Sequence, residues 1–388
     1  MNQTDPLAED AALIEATVRR FAQTEVAPHL SAWEDAGEVP RALYRRAAAL
    51  GWLAMGYPEA LGGTPCPWQL RNAMTIALAR FGGSGGLMAS LFSHNIGLPP
   101  IVRHGSAALQ QEIIPSVLRG DKIAALAITE PGGGTDVAAL RSTARRDGDD
   151  YVVDGEKVFI TSGVRADWLT VAVRTDPANK GPTGISMLVV PGDAAGLSRS
   201  PLRKMGWLCS DTAQIRFDGV RVPARYLVGE EGAGFRMIMT NFNGERLAMS
   251  AMALGFAECC YDEALGWARQ RKTFGAALVE HQVVRHKLMD MKMRIESTRA
   301  WLNSVTRLAD SANPADQGAD WVAQVCLLKN HATQTMQFCA DQGVQILGGM
   351  GFMRGTACER IYREVKVMMI GGGTEEIMKE LASRQLGV

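Results

Sequence analysis

Apolar positions recur along this chain with two different periods, and the change of period divides it. Over residues 10–120, Leu13, Ala16, Val18, Phe21 and Val26 return at three-to-five-residue spacing, with Arg19 and Arg20 on the other side. That is the pattern of an amphipathic helix. Pro40 is placed to open a second helix through Ala49, with Gly51 as its stop. Residues 68–81 predict a third helix, and two more helical runs follow around 86–104 and 107–118. At Lys122 the texture shifts to β-branched and apolar residues separated by turn residues. Tyr151-Val152-Val153 and Lys157-Val158-Phe159-Ile160 flank Asp154-Gly155-Glu156, which predicts a hairpin. Residues 168–173, 185–190 and 213–217 read as further strands. From Gly234 the helical period returns: 235–271 predicts one or two long helices, 282–308 another, and 320–347 a third stopped by Gly348-Gly349. A last short helix, 377–385, follows Thr374 as its N-cap, with Glu375 and Glu376 suited to the positive end of its dipole.

Helices, then strands, then helices argue for segregated layers, an α+β chain, and not an α/β alternation. The expected division is an N-terminal helical domain over 1–122, a middle β-sheet domain over 123–232 and a C-terminal four-helix-bundle domain over 233–388. The 388 residues, 47% of them hydrophobic, suffice for a large core. Lys plus Arg and Asp plus Glu are equal at 41 each, which gives no global attraction to nucleic acid or to an anionic membrane. Residues 1–10 are polar and acidic, unlike a signal peptide, and no apolar run reaches the ~18 residues of a membrane span. The seven cysteines include no C-x-x-C, and Cys259-Cys260 are adjacent in an apolar run. They read as buried hydrophobes in a reducing compartment, so a cytoplasmic location is expected.

Candidate chemistry is narrowed first by exclusion. No G-x-G-x-x-G follows a strand, and there is neither a P-loop nor an H-E-x-x-H. The six histidines make no metal-ligand pair, so no metal is expected. Gly82-Gly83-Ser84-Gly85-Gly86 fits G-x-S-x-G, but that nucleophile elbow needs a strand before it, and a helical run precedes it here. What remains is a set of glycine–threonine turns at 129–135, 161–163, 348–351 and 371–374. Beside them are a basic cluster at 269–275 and one acid in an apolar run, Glu245. Residues 126–136, L-A-I-T-E-P-G-G-G-T-D, stand out, since three glycines let a flat or phosphorylated group approach the backbone N–H groups.

Taken together and in order, these segments resemble the acyl-CoA dehydrogenase family over essentially the whole chain. Ala127-Ile128-Thr129-Glu130 with Gly133-Gly134-Thr135-Asp136 is similar to that family's first signature. Gln345-Ile346-Leu347-Gly348-Gly349-Met350-Gly351-Phe352 is similar to its second. Lys204-Met205-Gly206, Val220-Arg221-Val222-Pro223, Gly229-Glu230-Glu231 and Arg271-Lys272-Thr273-Phe274-Gly275 fall between them as in the family. The resemblance implies an FAD enzyme that converts an acyl-CoA to a trans-2-enoyl-CoA, with the β-hydride passing to flavin N5. It implies that Leu126, Ile128, Thr129, Gly134 and Thr135, together with Phe159, Ile160 and Thr161, hold the isoalloxazine. It further implies that Arg271, Thr273, Phe274 and Gln282 reach the FAD of a neighbouring subunit, Arg271 at the pyrophosphate and Phe274 at the adenine. Gln345, Ile346, Gly348 and Gly349 would lie along the same cofactor, and Thr374 and Glu376 near its helix end. A homotetramer and an electron-transfer flavoprotein as acceptor follow from the same resemblance.

One departure matters. Most members read I-Y-E-G-T where this chain has Ile370-Gly371-Gly372-Gly373-Thr374, and that glutamate is their base. Gly372 cannot take a proton, although its N–H can still donate to a thioester oxygen. The isovaleryl and long-chain subgroups also lack the glutamate and carry the base in an E-R-L sequence, matched here by Glu245-Arg246-Leu247. Glu245 is therefore the expected base, with Gly372 as the oxyanion donor. Thr135, Asn243, Arg246, Gly371 and Gly373 are the expected substrate contacts. Gly371 in place of tyrosine widens the pocket floor for a branched acyl group, whereas Gly373-Thr374-Glu375-Glu376-Ile377-Met378-Lys379-Glu380-Leu381 is closer to the long-chain subgroup. An O2-using flavin oxidase or monooxygenase, a DNA-binding relative without activity and a catalytically dead homologue share the fold. Glu245 argues against the first and the balanced charge against the second.

Overall fold

The computed structural model describes residues 6–388, so part of the polar opening, residues 1–5, lies outside the described residues. Eight helices come first: α1 (Pro6–Phe21), α2 (Leu30–Ala36), α3 (Arg41–Ala49), α4 (Trp68–Gly82), α5 (Gly85–Phe92), α6 (His94–Gly97), α7 (Pro99–His104) and α8 (Ala107–Leu118). The run expected over 86–104 is thus three helices. Ser93 precedes α6 with its hydroxyl donating to the Ala124 carbonyl at 2.9 Å, and Pro99-Pro100 open α7, positions where a lost N–H costs nothing. Ser84 caps α5, accepting from the Leu87 N–H at 3.3 Å, and is fully buried behind α4. It is a cap, not a nucleophile.

Seven strands follow: β1 (Ala124–Ala127), β2 (Thr143–Asp147), β3 (Asp150–Thr161), β4 (Trp168–Arg174), β5 (Ile185–Pro191), β6 (Leu197–Pro201) and β7 (Thr212–Pro223). They form one sheet in the order β1-β4-β2-β3-β7-β6, with β5 antiparallel on β4 and β1 parallel to it. The hairpin expected at residues 154–156 is absent, because β3 runs straight through it. Its register against β7 shifts between Val153 and Gly155, a bulge. Gly155 has φ +144°, and a Cβ there would lie 2.4 Å from Ser142 Oγ and 2.7 Å from Ser142 Cα. Glycine serves close strand approach at this point, and the turn lies earlier, at residues 147–150, between β2 and β3.

The C-terminal part contains α9 (Gly234–Gln270), a two-stranded ribbon of β8 (Lys272–Thr273) and β9 (Ala276–Ala277), then α10 (Gln282–Ala309), α11 (Ala319–Leu347), α12 (Gly349–Phe352), α13 (Ala357–Ile370) and α14 (Glu375–Leu386). The segment 235–271 is one helix, and α13, not read from the sequence, is the fourth member of the bundle. Side-chain pairs fix the directions. Arg246 faces Cys326, and Gly343 lies against Cys260, so α9 and α11 run parallel. Lys287 bonds Gln342 and Thr298 bonds Thr335, so α10 is antiparallel to α11. Lys329 reaches Met369 and Gly343 faces Cys358, so α13 is antiparallel to it as well.

Buried charge joins the three layers. Arg360 of α13 donates to Glu34 of α2 at 2.9 Å and to the Gly83 carbonyl at 3.2 Å. One turn on, Glu364 accepts from the Gly85 and Trp207 N–H groups at 2.7 and 3.1 Å. Six of the seven cysteines are buried, Cys66 is half-buried and all are unpaired. Among the described residues no helix is long and apolar enough to cross a membrane. Because residue 155 demands both a positive φ and space that Ser142 occupies, Gly155→Ala is expected to cost about 1–3 kcal/mol. A fall in the thermal unfolding midpoint of several degrees checks this, and an unchanged midpoint contradicts it.

Candidate active site

The apolar spacing that makes α9 one continuous helix places Glu245 near its beginning, one turn after Asn241. Asn241 Nδ2 donates to the Ile96 carbonyl at 3.0 Å, and Gly97 packs on the backbone of Ala125. The short helix α6 therefore links this turn of α9 to β1, whose end opens into the glycine loop at 131–136. On the other side lies the strap that joins α13 to α14. Arg246 Nε donates to the Gly372 carbonyl at 3.0 Å, and a Cβ on Gly372 would sit 3.8 Å from Glu245 Oε1. The expected acid and the expected oxyanion donor are thus brought together from positions far apart in sequence.

Glu245 Oε2 is shut off from solvent and has no hydrogen-bond partner. Burial pushes its pKa up to about 7, against the opposing pull of the Arg246 and Lys329 charges. The Gly371 N–H donates to the Val367 carbonyl at 2.7 Å, whereas that of Gly372 has no acceptor among the described residues. Gly372 and Gly373 have φ +67° and +115°. The site therefore presents a half-buried glutamate, its Oε2 shut off from solvent, beside a backbone N–H with no acceptor among the described residues.

The remaining residues sort by position. Arg246 and Asn243 bond each other at 3.3 Å, and Arg246 is buried with its guanidinium on the strap. Its side chain is committed to holding Gly372, which leaves it structural work beside the expected substrate contact. Gly371 and Gly373 flank Gly372 in that strap. Thr374 caps α14, accepting from the Ile377 N–H, and Glu376 is exposed in its first turn. In the glycine loop, Gly134 and Thr135 are exposed and their N–H groups have no acceptor among the described residues. Leu126 and Thr129 are half-buried. Ile128, Ile160 and Ile346 place their side chains in the core, so only their backbones can meet a ligand. Thr161 ends β3.

Two phenylalanines test the fit of a flat cofactor. Phe159 and Phe274 both hold a positive φ, +62° and +51°, a conformation that costs a bulky residue of order 1–3 kcal/mol. Yet their rings are 68% and 101% exposed. Strain spent on presenting an apolar ring to solvent is what a stacking partner would offset, so these residues fit a flavin nucleotide. Phe274 lies against His281, with Arg271 and Gln282 exposed nearby and Thr273 in the ribbon. Gln345, Gly348 and Gly349 are exposed at the end of α11. This second group does not meet the first. Arg271 follows α9, roughly 40 Å from Glu245 at 1.5 Å per helical residue.

The sequence reading missed Lys157, Lys329 and Met249. Lys157, fully buried, donates to the Ile128 carbonyl at 3.0 Å and to Glu130 at 2.7 Å, and Glu130 also accepts the Arg141 and Ser142 N–H groups. Despite burial, Lys157 holds the Glu130 carboxyl below its usual range. Breaking such a buried pair from one side costs about 3–5 kcal/mol, so it fastens the base of the glycine loop. Met249, one turn after Glu245, places Sδ 3.0 Å from where a Cβ on Gly372 would be. Neither lysine carries a sequence signal of burial against backbone carbonyls.

Comparison with known proteins fits this geometry. The chain matches the acyl-CoA dehydrogenase N-terminal domain over residues 8–121, the middle domain over 125–220 and the C-terminal domain over 232–387. The chain belongs to the acyl-CoA dehydrogenase family. It is 36% identical to the long-chain specific acyl-CoA dehydrogenase of Mus musculus mitochondria, covering 95% of this chain and 85% of that protein. It is 32% identical to a cyclohexane-1-carbonyl-CoA dehydrogenase of Geobacter metallireducens, over 98% of each. A probable acyl-CoA dehydrogenase from Mycobacterium abscessus superposes with a TM-score of 0.93 at 43% identity, over 99% of this chain and 100% of that one. A glutaryl-CoA dehydrogenase from Mycobacterium smegmatis in complex with FADH2 does so at 0.88 and 26%, over 99% and 96%. As an acyl-CoA dehydrogenase this chain is an FAD-dependent oxidoreductase.

The elevated pKa of Glu245 has a consequence for stability. The unfolded carboxyl releases its proton near 4.5 and the folded one near 7, so the native state binds more protons between those values. Stability contributed by this group is then present below pH 4.5 and lost as pH rises through 7. Glu245→Gln is expected to gain stability relative to the parent on the order of 1 kcal/mol per pH unit across that window. Unfolding midpoints at pH 5 and 7.5 check this, and identical pH slopes for the two proteins contradict it.

Proposed function

We propose that this acyl-CoA dehydrogenase oxidises the α,β-bond of a branched or medium-to-long acyl-CoA, with Glu245 removing the α-proton. The observation that carries the reading is the Glu245 carboxylate against Gly372, with its Oε2 buried and without a partner. A thioester α-proton is weakly acidic, so its removal needs a base close by and a donor to the carbonyl oxygen as enolate charge develops. Glu245 and the Gly372 N–H supply those two groups, and bound FAD would accept the hydride from the β-carbon. Phe159, Gly134 and Thr135 would face the ring system, and a closed pocket would exclude water from the base. Gly371 offers no side chain to narrow the floor beside the acyl group. The names of the two curated relatives point to a long chain and to a ring, so both bulky classes stay within the proposal.

The same reading makes the enzyme an oligomer, a homotetramer. Arg271, Phe274 and Gln345 are exposed at the end of the bundle far from Glu245, which supports their reaching the cofactor of a second copy. An electron-transfer flavoprotein as acceptor and a cytoplasmic location, the latter supported by seven unpaired cysteines, complete the proposal.

Anaerobic bleaching of the flavin by acyl-CoAs from butyryl and isovaleryl to palmitoyl tests the reaction. One class is expected to bleach the parent protein, and Glu245→Gln is expected to slow this about 10²–10⁴-fold. Bleaching that survives the substitution moves the base elsewhere, and no bleaching by any thioester supports an O2-using relative. Separately, Arg271→Ala and Phe274→Ala are expected to lose FAD on gel filtration while keeping the fold. Full FAD retention in the double variant would contradict a cofactor site shared between subunits.

A further inference from the structure

Lys329 of α11 is fully buried, and its Nζ donates to the carbonyls of Gly373 at 2.7 Å and Met369 at 3.0 Å. The adjacent Asn330 donates to the Glu375 carbonyl at 2.9 Å, and Arg246 to the Gly372 carbonyl at 3.0 Å. Four carbonyls of the strap and its flanks are therefore drawn towards α9 and α11. A peptide unit is planar with its N–H opposite its C=O, so the Gly372 N–H shares its plane with the Gly371 carbonyl, and that unit lies between two anchored ones, the Gly371 N–H bonded to Val367 O and the Gly372 carbonyl bonded to Arg246. Glycines at 371, 372 and 373 have no side chains that could do this. An ammonium ion in a buried site also acts at short range on its neighbours. Glu245 and Arg246 face it from α9, Glu375 from the start of α14 and Cys326 from its own helix.

We propose that Lys329 is a positioning residue for proton abstraction: it clamps the Gly371–Gly373 strap so that Gly372 presents its N–H, and its charge favours the ionised form of Glu245. This rests on the reading of Glu245 as the base. Arg246 shares both tasks from the other side, but it touches the strap only at Gly372 O. Lys329 holds both ends of the turn, Met369 O before the glycines and Gly373 O after Gly372. Burial pulls the lysine's own pKa down to about 8, so it is still charged at pH 7.

The test uses flavin-loaded protein and a 3-thia-acyl-CoA. Sulfur at the β-position leaves no β-hydrogen to transfer, while the α-proton can still be removed. The enolate stacked on oxidised flavin gives a long-wavelength band whose pH midpoint reports proton transfer to the base. In Lys329→Met the midpoint is expected to rise by about one unit or more, as expected when an opposite charge is removed from beside a carboxylate. With a full substrate at pH 7, kcat should fall about 10-fold and KM change less than about 3-fold, the mark of an interaction made chiefly in the transition state. Lys329→Arg, which keeps the charge, should return the midpoint towards that of the parent. A parental midpoint and kcat in Lys329→Met would overturn the inference. Should that variant fail to fold, Lys329→Gln keeps a donor without a charge, and a parental midpoint there overturns the inference equally. Glu245→Gln separates the premise, because a band that persists in it removes Glu245 as the base, whereas an unmoved midpoint in the lysine variants removes only Lys329.

Discussion

A buried ammonium ion bonded to backbone carbonyls recurs at both glycine-rich segments of the site, and the geometry of the site depends on it. Glycine lets the chain bend and approach a ligand, but it leaves nothing with which the segment can anchor itself. Lys157 holds the Ile128 carbonyl and Glu130 at the base of the first loop. Lys329 holds Met369 and Gly373 on either side of the strap. Each ammonium has been removed from water at a cost, and each is compensated by fixed dipoles, with a carboxylate added at Lys157. Flexible sequence thereby becomes rigid backbone.

The helical scaffold serves this arrangement by bringing distant residues to one place. Glu245 stands near the start of a 37-residue helix, and the strap lies more than a hundred positions later. The two meet because α9 and α11 run parallel while α13 returns between their ends. On the opposite flank, α6 carries the contact from Asn241 to β1. The buried Glu34–Arg360 pair and Glu364 tie the three layers together.

Much of the scaffold was legible from hydrophobic period, since α3, α4, α8, α10 and α11 have apolar faces with clear stops such as Gly51 and Gly348. The strand pattern was read well where β-branched runs were unbroken, as in β4 and β5. It failed at Gly155, where glycine answered a contact with Ser142 and not a turn, because local sequence carries no sign of a cross-strand approach. Helix α13 went unread because glycine-rich segments on both sides obscured its period. In the candidate site, the expectation for Glu245 came only through the E-R-L resemblance, since an acid on an amphipathic helix is ordinarily solvated. Lys157 and Lys329 were not legible at all. Their partners are backbone carbonyls, which every residue possesses and no sequence marks.

The closeness of Met249 to Gly372 bears on how this catalyst could change by descent. An acid at position 372 is not one substitution away in this structure. A side chain at 372 would begin 3.0 Å from the Met249 sulfur on a backbone with φ +67°. An acid introduced at that position would therefore need the Met249 side chain to shift and the strap to relax before it conferred any advantage. On the reading that places the base at Glu245, residues 249 and 372 are therefore coupled by epistasis, whatever substrate selection favours.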